Sequence, residues 1–518
     1  MQSSSGVSEA QIEEPQRSHT SPASPRFIDD RVLYIIYALA LAVSISTWFI
    51  AVRAPLWQDE TGTYYQISAG FSGIPSHVGG LSFPAYAYIL WFATKIIGSS
   101  EIALRVPSIL AMLGAVYLLY LAARELFDRD IALIAAVIFC LHPIVAFASI
   151  DVRPYAFAVL ATNAAILVLF RLRRSDSIWL AALFGFTAAW IVWFHYLFAV
   201  ILPALVLCFL VVRIGNRKTL WRQFGVAFAV FALAFLPMIP GLQYMFRTSG
   251  THVFEQAPHL SDLAGTLAPG WLLWLYFGAV FAAFLAFAAR QKRSPLNRVE
   301  GWHLIVCASL ALIPILILYG VSVGTSIHTF VSRHRLVAVP GIALCWAFAL
   351  SRFHSRTVRL LFCVTFVAAT AYAYFSSPIG RQHNYTWKYA LEVAEKNASA
   401  DGAPLVICSD FPEADYATMP LDSAKDSPLL AQLSYYKVSV PVVALPRAFN
   451  GETMRVGSRF LQEAAQKHQR FLALGYKYSY ETLDWLAQNA AATHSVRKLG
   501  TFDDVEVLEF VPRTGLAH

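Results

Sequence analysis

Two adjacent carboxylates follow the first long apolar run of this sequence. Asp59 and Glu60 stand behind Trp57 in the stretch APLWQDETGTYY. One interpretation is a pair of solvated loop acids. The other is a catalytic site, because a carboxylate at a membrane surface can take the proton from an attacking hydroxyl as a general base.

A second cluster lies in the stretch FASIDVRPYAF, where Asp151, Arg153 and Tyr155 fall within five residues. These residues form either a capping Asp with an Arg that reaches water or an anion site in which Arg153 binds a phosphate. His195 and Tyr196 follow another apolar run. This histidine is either a satisfied helix-end residue or a contact to a phosphate or acceptor.

The elements that position these residues are membrane helices. The chain has 518 residues, of which 57% are hydrophobic and 14% charged, and its mean hydropathy is +0.53. An average soluble domain carries roughly 25% charged residues. The composition therefore indicates a polytopic membrane protein and excludes an ordinary cytosolic enzyme, a disordered protein and a coiled coil.

The net charge of +8 does not indicate a nucleic-acid partner, because the charge is unevenly distributed. Residues 384–518 carry 13 Lys and Arg against 16 Asp and Glu, whereas the rest of the chain carries 27 against 16. The basic excess belongs to the apolar part, where membrane topology explains it. We expect no nucleic acid among the partners.

Apolar runs near the 17 to 25 residues that cross a bilayer predict about eleven transmembrane helices. The predicted spans are 32–52, 106–123, 131–148, 155–170, 178–194, 197–212, 224–239, 271–289, 304–323, 336–350 and 358–375. Residues 1–30 are predicted to form a disordered cytoplasmic leader, 31–380 the transmembrane domain, and 381–518 a soluble α/β domain.

The basic connections predict the orientation. The stretches RLRRSDS, RIGNRKTLWR, RQKRSPLNR and SRFHSRTVR hold 14 Lys and Arg and one Asp. The positive-inside rule assigns them to the cytoplasm. The N-terminus is then cytoplasmic, whereas the large loop 53–105 and the C-terminal domain are extracytoplasmic, which is periplasmic or extracellular for a bacterial inner or plasma membrane.

The soluble tail alternates helical and strand-like runs. Helices are predicted at 387–398 and 480–491, and strands at PLVICS, VPVVAL, RFLALGY and VEVLEF. Neither a phosphate-binding glycine loop nor a nucleophile elbow occurs in it. The six cysteines of the chain show no metal-ligand spacing, so no metal residue is assigned.

Of Asp, Glu, Lys and Arg, the predicted spans contain Arg359 alone, the second residue of 358–375 at its predicted cytoplasmic end. Ion-coupled transporters place ionisable groups at membrane depth. Here the ionisable residues gather at the predicted outer ends of helices, which favours an enzyme at the outer face. A transporter or flippase of a lipid-linked intermediate is the alternative, and a non-catalytic scaffold is a third.

In their order, these motifs resemble those of the GT-C membrane glycosyltransferases, and most closely a bacterial branch similar to dolichyl-phosphate-mannose protein mannosyltransferases and aminoarabinose transferases. The similarity covers Leu56 to Gly341. It includes the acidic pair, the acidic-x-Arg-x-Tyr motif, the His-Tyr pair, ALRVPSIL at a helix entry, and SRHRLVAVPG at a late one. The stretch SFPAYAY departs from the family, since Ser82, Phe83 and Pro84 replace its His-Pro-Pro.

The resemblance implies a GT-C fold and a hexosyl- or pentosyltransferase that uses a polyprenyl-phosphate sugar. The acceptor is an extracytoplasmic lipid, glycan or protein. Asp59 is predicted as general base, with Glu60 shaping its charge or holding a divalent ion, and Asp151 as a second acid. Whether the reaction inverts the sugar or proceeds through a carboxylate nucleophile stays open.

The predicted substrate-binding residues lie in one cavity near the membrane lipid. Arg153 binds the donor phosphate together with Arg333 or Arg335, and Tyr155, His195 and Tyr196 line the same cavity.

Overall fold

The computed structural model describes most of the chain in nine segments. They are residues 29–78, 84–213, 217–248, 257–267, 301–353, 355–376, 387–409, 430–446 and 449–513. The predicted span 271–289, the predicted leader up to residue 28, and Ser82 and Phe83 lie outside the described residues.

The described part that precedes the C-terminal domain is entirely helical. Its helices are α1 (Asp30–Ser46), α2 (Gln58–Ser68), α3 (Ile74–Val78), α4 (Pro84–Ile97), α5 (Glu101–Leu126), α6 (Arg129–Cys140), α7 (Pro143–Ser149), α8 (Tyr155–Leu172), α9 (Ile178–Phe194), α10 (Leu202–Arg213), α11 (Arg217–Phe235), α12 (Ile239–Thr248), α13 (Leu260–Leu267), α14 (Gly301–Gly324), α15 (Ser332–Arg335), α16 (Val339–Ser351) and α17 (Arg356–Ser376). Short 3₁₀ turns extend α1 and join α9 to α10 and α15 to α16.

Eight helical stretches in the described residues are long and apolar enough to cross a membrane. They are Asp30–Ala51, Glu101–Leu126, Tyr155–Leu172, Tyr196–Arg213, Lys218–Gln243, Gly301–Gly324, Ser332–Ser351 and Arg356–Ser376. Each corresponds to one of the eleven predicted spans. A ninth predicted span, 178–194, matches α9, an apolar helix of 17 residues. The chain is therefore an integral multi-pass membrane protein.

The predicted span 131–148 is broken in the structure. The helix pair Arg129–Leu141 and Pro143–Ser149 is bent by 71°. Proline has no N–H group and its ring clashes with the preceding turn, so Pro143 ends α6 and starts a new helix. The side chain of His142 caps that new helix by accepting from the Ile144 amide at 3.3 Å.

The long loop between the first two predicted spans folds into α2, α3 and α4. Helix α5 then begins at Glu101, five residues before its predicted span, and Ser100 caps it by accepting from the Ala103 amide. Because of this earlier start, Arg105 lies in the second turn of a helix. It points into the protein and is fully buried.

The C-terminal domain is a five-stranded mixed sheet between helices. Its elements are α18 (Trp387–Ala398), β1 (Leu405–Cys408), α19 (Ala431–Tyr435), β2 (Val442–Leu445), α20 (Gly451–Gln466), β3 (Phe471–Tyr476), α21 (Tyr480–Ala490), β4 (His494–Phe502) and β5 (Val505–Pro512). The strand order is β2-β1-β3-β5-β4, with β1 parallel to β2 and β3, and β5 antiparallel to β3 and β4.

The predicted α/β domain is confirmed. One apolar core packs α18 on one face of the sheet, and a second packs α20 and α21 on the other. The four predicted strands correspond to β1, β2, β3 and β5, whereas β4 was not predicted. Strand β4 lies at the edge of the sheet and most of its residues are exposed. Its sequence therefore lacks the alternation of apolar and polar residues that indicates a half-buried strand.

Candidate active site

The turn between α1 and α2 is held by a buried arginine. Arg105 and Glu60 have fully buried side chains, and their closest contact joins Nη2 to Oε2 at 2.8 Å. Nη1 and Nη2 also donate to the backbone carbonyl oxygens of Val52, Ala54 and Pro55. A planar guanidinium with five donors suits this use better than any other side chain.

Glu60 joins this turn to the segment before α8. Its Oε1 accepts from Arg105 Nε at 3.3 Å and from the Val152 amide at 2.9 Å. Its Oε2 accepts from Arg105 Nη2 and from the Trp57 amide at 3.2 Å. Burial raises the pKa of the Glu60 carboxyl, whereas Arg105 and the two amides oppose that rise.

Asp151 is the second buried acid of this network. Its Oδ1 accepts from the indole N–H of Trp57 at 3.0 Å, and its Oδ2 has no hydrogen-bond partner among the described residues. Burial, followed by the charge of Glu60, raises the pKa of Asp151 well above its ordinary value. Both causes favour the protonated acid.

Asp59 faces another direction, although it is the neighbour of Glu60 in α2. Its side chain is 24% exposed, and its Oδ2 lies 3.2 Å from Nη1 of Arg333. Arg153 Nη1 donates to the hydroxyl of Thr63 at 3.1 Å and to the Asp59 carbonyl at 3.4 Å. Two guanidinium groups from distant parts of the chain therefore lie beside the start of α2.

Aromatic and imidazole rings form one wall next to these charges. The ring of His195 lies 4.9 Å from that of Tyr155 and is parallel to that of Tyr196 at 5.6 Å, measured between centroids. The ring of His334 is 5.6 Å from His195. The Arg153 guanidinium lies over Tyr155 at 6.0 Å.

His195 is buried, and its Nδ1 has no hydrogen-bond partner in the described part of the chain. Burial first, and then His334, Arg153 and Arg333, lower the pKa of His195 well below its ordinary value. A neutral imidazole can donate one hydrogen bond and accept another. His195 therefore offers polar atoms to a ligand without adding charge.

Arg335 lies apart from this cluster. Its Nη1 donates to the Thr266 hydroxyl at 2.5 Å and to the Asp262 carbonyl at 3.3 Å, both in α13. Of the two arginines in the late motif, Arg333 reaches Asp59 in this structure.

Comparisons with known proteins agree with this architecture. Residues 82–244 match the family described as dolichyl-phosphate-mannose-protein mannosyltransferase. The crystal structure of ArnT from Cupriavidus metallidurans in the apo state is similar with a TM-score of 0.54 and 12% identity, over 92% of this chain and 98% of that chain. The chain has the GT-C glycosyltransferase fold.

The same ArnT bound to undecaprenyl phosphate is similar with a TM-score of 0.52 and 11% identity, over 93% of this chain and 98% of that chain. An apo oligosaccharyltransferase from Archaeoglobus fulgidus has a TM-score of 0.49 and 14% identity, over 91% and 70% of the two chains. No curated protein matches the chain in sequence. The predicted resemblance to the GT-C class is confirmed.

In this GT-C fold, the predicted site residues fall into two adjoining groups and one separate residue. Around the start of α2 and the His195 wall lie Asp59, Arg153, Tyr155, His195, Tyr196 and Arg333. Glu60 and Asp151 belong to the buried network behind them, and Arg335 contacts α13.

No role was predicted for Arg105, Trp57, Thr63 or His334. All four stood in stretches that were already noted, since Trp57 and Thr63 belong to APLWQDETGTYY, Arg105 to ALRVPSIL and His334 to SRHRLVAVPG. Membership in these stretches could therefore have marked them as candidate site residues. Each of them also has a partner in the site that lies 45 or more positions away in the chain, and those contacts were not visible from local spacing.

A metal site was predicted only as an option at Asp59 and Glu60. Within the described ranges, no group of three or more His, Cys, Asp or Glu could hold a metal ion. Both oxygens of Glu60 accept N–H groups, and Asp59 turns toward Arg333. The two carboxylates do not converge on one point, so this pair does not fit an ion in this arrangement.

Proposed function

We propose that this GT-C glycosyltransferase moves a sugar from a polyprenyl-phosphate donor to a hydroxyl of a lipid, glycan or protein acceptor. The observation that carries the proposal is Asp59, a partly exposed carboxylate beside the two guanidinium groups of Arg153 and Arg333. A base and a phosphate-binding pair in one place are what such a transfer requires.

Arg153 and Arg333 are the proposed ligands of the donor phosphate. The phosphate is the leaving group, and its charge grows as the bond to the sugar breaks, so two nearby guanidinium groups stabilise the transition state. The lipid tail would lie along the exposed apolar helix surfaces. A polyprenyl phosphate agrees with the names of the matched family and of the ligand in ArnT.

Asp59 is the proposed general base. It takes the proton of the acceptor hydroxyl while the acceptor oxygen bonds to the anomeric carbon and the bond from that carbon to the phosphate oxygen breaks. A phosphate arriving at Arg333 competes with Asp59 for the guanidinium. Donor binding therefore loosens the ion pair and frees the carboxylate for the acceptor.

Glu60 and Asp151 are proposed as positioning acids. Glu60 joins α2 to Arg105 and to the Val152 amide, and Asp151 holds the indole of Trp57. Glu60 is the residue after Asp59, and Trp57, which Asp151 contacts, lies two residues before it. Neither acid needs to exchange a proton with the substrate to act in this way.

The proposed orientation places the site outside the cytoplasm and the N-terminus inside. It is supported by the four basic connections with 14 Lys and Arg and one Asp. The C-terminal domain contacts α2, since the ring of Tyr435 packs edge-on against Tyr64 at 4.9 Å. The domain and Asp59 therefore share one side of the membrane.

The test uses purified protein in liposomes with labelled polyprenyl-phosphate sugars, mannose and aminoarabinose among them, and a host membrane extract as acceptor. Asp59→Asn should bind the donor and lose on the order of 10²–10⁴-fold in transfer rate. Asp176→Asn is the matched control, because Asp176 pairs with Arg213 at the other end of the bundle.

Wild-type transfer by Asp59→Asn would overturn the assignment of the base. Movement of labelled lipid across the bilayer with no release of sugar would overturn the transferase and favour the flippase. Neither the family match nor the fold supports that alternative.

A further inference from the structure

The C-terminal domain is hydrogen-bonded to the turn that leads into α2. The Leu56 amide donates to the hydroxyl oxygen of Tyr436 at 2.7 Å, and this hydroxyl donates to Glu101 Oε1 at 2.9 Å. Lys388, from another helix of the domain, lies 3.2 Å from the same Glu101 oxygen. One phenol thus bridges the turn and the start of α5.

Glu101 and Arg105 lie one helical turn apart on α5. Arg105 contacts the connection between α1 and α2 directly, and Glu101 reaches it through the Tyr436 hydroxyl. Arg105 holds three carbonyl oxygens between Val52 and Pro55 and the carboxylate of Glu60. Glu101 holds the Tyr436 hydroxyl that accepts from Leu56. The turn before Asp59 is therefore held by two groups. The Arg105 guanidinium donates to its carbonyl oxygens, and the Tyr436 hydroxyl of the C-terminal domain accepts from its Leu56 amide.

Apolar contacts reinforce this joint. Leu56 is fully buried in a cluster with Leu104 and Val152, and Tyr435 and Tyr436 pack against that cluster. Tyr64, two turns after the start of α2, meets the ring of Tyr435. The helix that carries Asp59 thus lies between the membrane helices and the C-terminal domain.

We propose that Tyr436 is a positioning residue for glycosyl transfer and that the C-terminal domain acts through it to hold Asp59 in place. The inference rests on the proposed role of Asp59 as base. Without the phenolic hydroxyl, the Leu56 amide has no acceptor among the described residues. A displacement of about 1 Å at a reacting group can lower a rate about 10²-fold.

The test compares the neighbouring variants Tyr436→Phe and Tyr435→Phe. Each removes one hydroxyl, but the Tyr435 hydroxyl has no hydrogen bond in the described structure, and the ring contact with Tyr64 survives its loss. We expect kcat to fall about 10- to 100-fold in Tyr436→Phe and to stay at the wild-type value in Tyr435→Phe. KM for the donor should change less than kcat, because Arg153 and Arg333 belong to other segments of the chain and reach α2 only through their side chains.

Two substitutions of Glu101 distinguish a loss of positioning from a general loss of stability. Glu101→Gln keeps an oxygen that accepts from Tyr436 and should retain most of the rate. Glu101→Ala removes it and should behave like Tyr436→Phe. An equal loss of kcat in Glu101→Gln and Glu101→Ala would overturn the inference, and so would a wild-type kcat in Tyr436→Phe.

Hydrogen exchange of the amides in residues 52–62 keeps the two proposals distinguishable. Faster exchange in Tyr436→Phe than in Tyr435→Phe supports the joint even for a protein that transfers none of the sugars offered. Unchanged exchange in Tyr436→Phe rejects the joint. Asp59→Asn leaves the joint intact and should exchange like the wild type.

Discussion

The two ends of the helix bundle use their charged residues in different ways. At the end away from Asp59, the ion pairs each join neighbouring helices or connections and have at least one exposed partner. These pairs include Arg359–Asp128 at 2.6 Å, Arg356–Asp30 at 2.6 Å, Arg356–Asp130 at 2.8 Å, Arg174–Glu125 at 2.9 Å and Arg213–Asp176 at 3.0 Å.

At the end that carries Asp59, the Glu60–Arg105 pair is fully buried. Near it, Asp151 Oδ2, Arg153 Nε and His195 Nδ1 are buried without hydrogen-bond partners among the described residues. Unpaired buried polar atoms destabilise a fold. Asp130 is buried at the first end as well, but it lies beside Arg356. The ion pairs of the first end therefore fasten helices together, whereas the unpartnered atoms of the second end lie near Asp59.

The largest expected effect comes from breaking the buried pair. Arg105→Met removes the guanidinium partner of Glu60 and the donor to three carbonyl oxygens, and it should lower the unfolding free energy by about 3–5 kcal/mol. Denaturant titration of the purified protein measures it. Arg105→Met combined with Glu60→Gln should recover part of the loss, because no unpaired charge stays buried. A double variant as unstable as the sum of both single variants would contradict this account.

Loss of a phosphate ligand should come next. Arg153→Ala should weaken the binding of a labelled polyprenyl phosphate by about 2–5 kcal/mol, the range for removing one member of a buried charge pair. Arg335→Ala is the matched control, since Arg335 contacts α13 and should leave the affinity close to that of the wild type. Equal losses in the two variants would assign the phosphate to a different place.

His195 should make stability depend on pH. The folded state binds a proton on His195 less readily than the unfolded state, because burial, His334 and two arginines lower its pKa. Stability is therefore full above the ordinary value of 6.5 and is lost as the pH falls below it. Compared with His195→Gln, the wild type should lose up to about 1.4 kcal/mol per pH unit there.

Unfolding measured between pH 5 and pH 7.5 tests the effect of His195. Parallel curves for wild type and His195→Gln would show that His195 takes up its proton equally well in both states.

The smallest effect belongs to the other end of the bundle. The Arg174 side chain is 66% exposed in its pair with Glu125, and an exposed pair contributes about 0–1 kcal/mol. Arg174→Ala should therefore change the unfolding free energy by no more than that and leave transfer intact. A loss as large as that of Arg105→Met would remove the distinction between the two ends.

Local patterns in the sequence were enough to predict most of the helices and strands and the residue types of the site. Apolar runs long enough to cross a bilayer predicted eight of the helical spans, because length and hydropathy are local properties. Alternating patterns predicted four of the five strands in the tail. The acidic pair and the Asp-x-Arg-x-Tyr motif were likewise visible as short stretches.

Which of these residues contact one another depends on how the helices pack. Asp59 and Glu60 are neighbours, but successive residues of an α-helix point about 100° apart. One carboxylate therefore turns to Arg333 and the other to Arg105. In the same way, Arg333 joins the site while Arg335 faces α13. Contacts between residues far apart in the chain depend on how helices pack, and local spacing carries no record of that packing.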